Sequence, residues 1–226
     1  ILLSVIILIA TLTQICTDMY TPSLPAIASD LKTSLGHAQL TMTYFMAGIA
    51  ITTIIYGPLS EGIGRRKTII LGIGIALIGS VLCILATNIY SLQVGRLVQG
   101  CGLGACNALW RTIFKDTYSS KEDMARVGSY LVNIFTLSII AAPFLGGYFQ
   151  QYLGWRYTFM FLLVWMLIVL FFLIFSFTET SQHHGKHRLN LSFFFKAYKE
   201  LLSSRNFMSI SMMVISSYGG LFAWLT

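Results

Sequence analysis

"YGPLSEGIGRRK", Tyr56 to Lys67, stands between two long apolar runs, and its reading decides what kind of chain this is. Proline and glycine give way to three consecutive cations, Arg65, Arg66 and Lys67, after which an apolar run resumes. That pattern reads as a turn between two membrane-crossing helices, with its positive charge held in water. Composition agrees: the 226 residues are 56% hydrophobic and 10% charged, against roughly 25% charged for a soluble domain.

On either side of this turn, apolar segments recur near the roughly 20 residues that a helix needs to cross a bilayer. The expected spans are residues 1–24, 39–58, 68–87, 91–113, 127–149, 156–177 and 207–226. The runs are continuous rather than alternating in polarity, which argues against barrel strands. The expected fold class is therefore all-α and multi-pass transmembrane. The chain starts without methionine inside the first run and stops inside the seventh, so further sequence is expected beyond both ends. No signal peptide is recognisable.

Charge placement orients the spans, because lysine and arginine accumulate on the cytoplasmic side. The connections after spans two, four and six hold twelve of them: Arg65, Arg66, Lys67, Arg111, Lys115, Lys121, Arg126, Lys186, Arg188, Lys196, Lys199 and Arg205. The alternate connections hold two, Lys32 and Arg156. Span one is thus expected to run from the cytoplasm outwards, and the net charge of +7 reflects topology and anionic lipid, not nucleic acid. Cys16, Cys83, Cys101 and Cys106 all fall in apolar spans without zinc-type spacing and read as packing residues.

The opening stretch has an echo in "AAPFLGGYFQQYLGWR", Ala141 to Arg156. Both place a proline, a glycine and then an arginine just before the next span, one inside and one outside. A three-helix unit repeated with inverted topology would do this; so would ordinary punctuation between helices. After span six, "TETSQHHGKHRLN" reads as a polar linker, and "LSFFFKAYKELL" as an amphipathic surface helix with Leu191, Phe194, Tyr198 and Leu201 on one face. The expected division is a six-helix bundle over 1–178, a cytoplasmic linker over 179–205, and the start of a second bundle over 206–226. His183, His184 and His187 sit in the linker, where histidines are ordinarily solvated; no metal site is expected.

Only two ionisable side chains lie well inside the spans, Asp18 and Arg96. A charge at such depth costs roughly 2.5–3.5 kcal/mol on insertion scales, so it ordinarily faces a partner or a water-filled cavity. Both residues are expected in the outer half of the bilayer, as a mutually neutralising pair. One reading is a static ion pair between helices one and four. The other is a cavity: Gln14 shares a stripe with Asp18, and Asn107 returns to nearly the same face as Arg96. A carboxyl there takes up and releases a proton as its hydration and neighbouring charge change. Pro22 and Pro25 either bend helix one or end it. Tyr20, Tyr44 and Trp110 are candidate cavity walls, although aromatics within spans more often meet lipid or other helices.

These residues also carry a resemblance. "GPLSEGIGRRK" resembles the loop between helices two and three of the major facilitator superfamily, written G-x-L-x-D-[RK]-x-G-R-[RK]. "RLVQGCGLG", Arg96 to Gly104, is similar to that family's helix-four motif, and "APFLGG", Ala142 to Gly147, to its helix-five antiporter motif. "DMYTPSLPAI" with "YGPLSEGIGRR" looks like the bicyclomycin and chloramphenicol resistance branch of bacterial drug:proton antiporters. The resemblance implies the N-terminal six-helix bundle of a twelve-helix transporter, working by alternating access.

It further implies that Asp18 is the proton or cation site with Arg96 as its partner, in a substrate cavity with Gln14, Tyr20, Tyr44, Asn107 and Trp110. Gly57, Glu61, Gly64 and Arg65 become a cytoplasmic latch with Arg111 and Asp116, while Pro143, Gly146 and Gly147 become the packing and bending element of helix five. Two departures stand out. Glu61 and Gly62 replace an aspartate and a basic residue, and Ala10 stands where some relatives carry a second carboxylate.

The function so implied is proton-coupled export of amphipathic small molecules or drugs across a bacterial cytoplasmic membrane, by a monomer that needs no cofactor beyond the proton gradient. The alternatives are an exporter of one metabolite or siderophore, a proton-coupled importer, or a non-transporting receptor or scaffold. An enzyme is disfavoured because no nucleophile with a matching base is found in the spans.

Overall fold

The computed structural model describes residues 2–118, 120–177, 179, 203–205, 207–213 and 216, and its long elements are all α-helices. They are α1 (Leu2–Asp18), α2 (Leu24–Asp30), α3 (Leu35–Ile63), α4 (Arg65–Ile84), α5 (Ile89–Thr117), α6 (Lys121–Tyr152) and α7 (Trp155–Ser176). The chain forms two compact units, Ile1–Lys186 and His187–Thr226. In the second, residues 207–213 are helical. Most of the expected linker, with its amphipathic helix and His183, His184 and His187, and most of the 207–226 run lie outside the described residues.

Among the described residues, five segments are long and apolar enough to cross a membrane: Leu3–Asp30, Leu35–Ile63, Arg65–Ile84, Lys121–Tyr152 and Trp155–Ser176. The remaining long helix, α5, also has the length, but it carries Gln93, Arg96, Gln99 and Asn107 along its course. Large apolar side chains such as Ile140, Phe144 and Phe175 are more than half exposed on the bundle's surface.

Helix ends differ from those expected, for a local reason. Pro58 and Pro143 lie inside α3 and α6, and the chain turns later, at Gly64 and Gly154. Gly64 has φ +97° and ψ 152°, and Gly154 has φ +98° and ψ 161°, a conformation open almost only to glycine. The first span is likewise longer. A 3-10 turn, Thr21–Ser23, links α1 to α2, and Pro22 and Pro25 each fall in the first turn of a new segment. A proline is tolerated there because it sacrifices no intrahelical bond. These prolines therefore joint the span rather than end it. Ser34, Asn88 and Ser120 cap the N-termini of α3, α5 and α6 with their side chains.

Packing is tightest where α5 lies between α3 and α4. A Cβ on Gly100 would collide with the Phe45 carbonyl, one on Gly102 with the backbone of Gly72 and Ala76, and one on Gly79 with Gln99. Small residues let these backbones approach without a strong hydrophobic drive between helices. The packing of α1 with α6 and α7 is looser, leaving an apolar cavity of about 320 Å³ lined by Ile15, Met19, Ala142 and Trp165 among others. No sequence pattern pointed to it.

Candidate functional site: a buried arginine and a separate carboxylate

Arg96 is fully buried in the N-terminal part of α5. Its guanidinium carbon lies 3.9 Å from the centre of the Phe45 ring, 4.4 Å from that of Tyr20 and 5.8 Å from that of Phe159. Nη1 donates to Gln99 Oε1 at 2.6 Å and to the Cys16 carbonyl at 3.4 Å, and Nη2 approaches Met42 Sδ at 3.6 Å. Nε has no partner among the described residues. Gln99 passes the contact on, donating to Ser80 Oγ at 2.7 Å, and Ser80 donates to the Ala76 carbonyl. A guanidinium suits this cage because it is planar, weakly hydrated and attracted to ring faces.

Asp18 is the last residue of α1 and is half-buried. Gln14 Nε2 donates to its Oδ2 at 2.6 Å. Among the described residues it forms no ion pair, with Arg96 or with any other cation. The expected Asp18–Arg96 pair is therefore absent from this conformation. Rings, an amide and a carbonyl meet the Arg96 guanidinium at all but Nε, and the carboxylate takes no part in its burial here. Asp18 stands beside the joint instead. Gly146 of α6 packs so closely on Met19 that a Cβ there would meet the Met19 carbonyl. Gly147 is less confined, with Pro22 Cβ 3.9 Å from its would-be Cβ, and Pro143 stays within α6.

Other candidates scatter. Tyr20 is fully buried, sharing a 2.7 Å hydrogen bond with Thr41 and packing on Phe159, so it supports Arg96 and is not an open cavity wall. Tyr44 is exposed. Asn107 is partly buried and donates to Thr53 Oγ1 at 3.4 Å. Trp110 packs on Phe135 and on Arg111, whose guanidinium carbon is 4.5 Å from its ring centre.

At the arginine-rich end of the bundle, Arg65 Nε lies 2.8 Å from Asp116 Oδ2, an ionic contact without good hydrogen-bond alignment. Glu61 is exposed and Arg111 is engaged with Trp110, so neither joins this pair; a Cβ on Gly57 would meet nothing within 4 Å. The sequence reading missed Glu179. Its carboxylate accepts from the backbone N–H groups of Arg65, at 3.0 Å, and Arg66, at 3.2 Å, and so caps α4. Gly64 makes room for it, since a Cβ there would strike the Glu179 carboxylate. The available signal was an acid directly after an apolar run, facing the level of the "GRRK" turn.

The chain is a bundle of long apolar helices with a buried polar cluster around Arg96 and charged contacts at its ends. The Major Facilitator Superfamily model matches residues 6–226, and the chain belongs to that family. It is 29% identical over 221 residues, 97% of this chain and 55% of the relative, to the uncharacterized MFS-type transporter YdgK of Bacillus subtilis (strain 168). It is 29% identical to a bicyclomycin resistance protein homolog of Haemophilus influenzae (92% of this chain, 52% of the relative). It is 26% identical to multidrug resistance protein D of Escherichia coli (strain K12), over 99% of this chain and 55% of the relative. The chain thus spans about half the length of the curated relatives it matches. A peptide transporter solved in complex with sulfate shares the fold, with a TM-score of 0.71 at 15% identity over 96% of this chain and 46% of that one. The fold is that of the N-terminal half of such a transporter.

Proposed function

We propose that the protein containing this chain is a proton-coupled exporter of amphipathic small molecules, working by alternating access in a bacterial cytoplasmic membrane. The observation that carries the proposal is the setting of Asp18: a half-buried carboxylate with no cation against it among the described residues, ending a helix just before a joint. A carboxyl so placed changes its proton affinity when the joint moves, because hydration favours its charged form and burial its neutral one. The helix-five motif braces that joint through Gly146. Relatives named for bicyclomycin and multidrug resistance support drug-like substrates over a single metabolite.

Arg96 then acts as a fixed positive pole in the wall of the bundle, and Gln14 as the companion of Asp18. Arg65 with Asp116, together with Glu179 on the end of α4, forms the cytoplasmic latch. Positive charge at this end supports a cytoplasmic position for it and for the N-terminus. No cofactor is needed beyond the proton gradient.

The test is transport by the full-length protein in liposomes with an imposed pH gradient. The wild type should dissipate the gradient when amphipathic drugs are added, and Asp18→Asn should not. Undiminished proton-coupled efflux by Asp18→Asn would sink the mechanism. A response to one native metabolite and to no drug would replace the multidrug reading with that of a dedicated exporter.

A further inference from the structure

Gly64 and Gly154, the two positive-φ glycines among the described residues, mark two junctions that match residue by residue. At one end of the bundle, Gly64 is followed by Arg65, which reaches Asp116 near the end of α5, and by Arg66, whose Nη2 donates to the Ile174 carbonyl near the end of α7. At the opposite end, Gly154 is followed by Trp155, whose Nε1 donates to Asp30 Oδ2 at 3.0 Å, and by Arg156. Arg156 Nη2 donates to the Ala86 carbonyl, just past α4, at 3.0 Å, and Nη1 donates to Asp30 Oδ2 at 2.8 Å. In each junction the first residue after the glycine holds an aspartate at or near the end of another span. In each, the arginine at the second position holds a carbonyl at the end of another.

We propose that Asp30, Trp155 and Arg156 form an outer staple, the inverted counterpart of the inner latch, which sets the angle between α2 and α1 and so the exposure of the joint beside Asp18. Asp30 is the last residue of α2. The segment between it and Asp18 contains the 3-10 turn and both prolines. Tying the far end of α2 to α4 and α7 leaves that jointed segment as the place where motion of the outer helix ends is absorbed. The Asp30–Arg156 pair is itself about half exposed, and a lone exposed pair contributes little. Here the carboxylate is held by two donors and the guanidinium also stacks on Trp155, with Cζ 4.2 Å from the ring centre. A network of this kind fixes geometry where a single pair would not.

The link to Asp18 rests on the transport reading; the staple does not, and the experiment separates them. Thr21→Cys, in the turn between α1 and α2, is introduced into the full-length protein in native membranes. Its labelling by a membrane-impermeant maleimide is timed against the background of the native cysteines. Asp30→Asn, Arg156→Gln and Trp155→Phe should each speed labelling at this position roughly two- to fivefold. The swap Asp30→Arg with Arg156→Asp re-forms the ion pair but not the bonds to Trp155 Nε1 and the Ala86 carbonyl, so it should slow labelling only part of the way back, and Arg66→Gln at the opposite end should leave it unchanged. Trp155→Phe removes the indole N–H while keeping an aromatic ring and altering no charge, so it covers the case in which a charge variant fails to fold. Unchanged labelling in folded single variants, or equal acceleration by Arg66→Gln, would overturn the staple. If labelling responds as expected while Asp18→Asn still transports with protons, the staple stands and its role in coupling falls.

Discussion

The guanidinium of Arg96 lies against the faces of Phe45 and Tyr20, with its carbon 3.9 Å and 4.4 Å from the two ring centres. Rings from α3, from the joint after α1 and from α7 thus converge on one cation of α5. The charge therefore works as a clamp among four parts of the bundle, whatever Asp18 does.

Phe45→Leu should lower the stability of the full-length protein by about 2 kcal/mol, the worth of a desolvated cation–π contact. Arg96→Lys should cost more, since an ammonium cannot lie flat between two rings while also reaching Gln99 and the Cys16 carbonyl. Thermal unfolding in detergent measures both. Equal melting temperatures for Arg96→Lys and wild type would show that the cage is not energetically significant.

Tyr20→Phe isolates a single hydroxyl. It should cost about 1 kcal/mol through loss of the buried bond to Thr41. The ring should still lie over Arg96. Thr41 keeps its bond to the Ala38 carbonyl, so no donor is orphaned. A loss as large as that of Phe45→Leu would mean that the hydroxyl, not the ring, matters.

Glycine substitutions should divide by contact. Gly100→Ala places a methyl group against the Phe45 carbonyl and should cost about 1–3 kcal/mol, or displace α3 from α5. Gly74→Ala meets nothing within 4 Å and should be neutral, or stabilising by up to about 1 kcal/mol through helix propensity. Expression level and melting temperature of the two variants, side by side, decide it.

At the arginine-rich end, Gly64→Ala should cost about 1–3 kcal/mol from its backbone conformation alone, with the displacement of Glu179 in addition. Glu179→Ala should cost about 1 kcal/mol as a lost helix cap. If the carboxylate and the Arg65–Asp116 pair form one latch, Glu179→Ala and Asp116→Asn will be non-additive in a double-mutant cycle. Strict additivity would make them independent.

The sequence by itself determined that this is a chain of membrane-crossing helices, which end of the bundle carries the cations, and that Asp18 and Arg96 are the charges to be explained. Those are properties of segments: apolar content summed over some 20 residues, and the cost of an ion in hydrocarbon, need no knowledge of neighbours. Helical periodicity also put Gln14 beside Asp18, because four residues return to the same face.

Only the tertiary structure decided who meets whom. A charge can be stabilised by a carboxylate or by rings and carbonyls, and the choice for Arg96 depended on how α1, α3 and α7 are rotated and how closely glycines let them approach. Helix ends depended on backbone geometry at single residues. Pro58 and Pro143 announced turns that occur only at Gly64 and Gly154. Glu179 and the Asp30 staple were invisible for the same reason. Each joins residues far apart in the chain, and no periodicity along one helix specifies a partner on another.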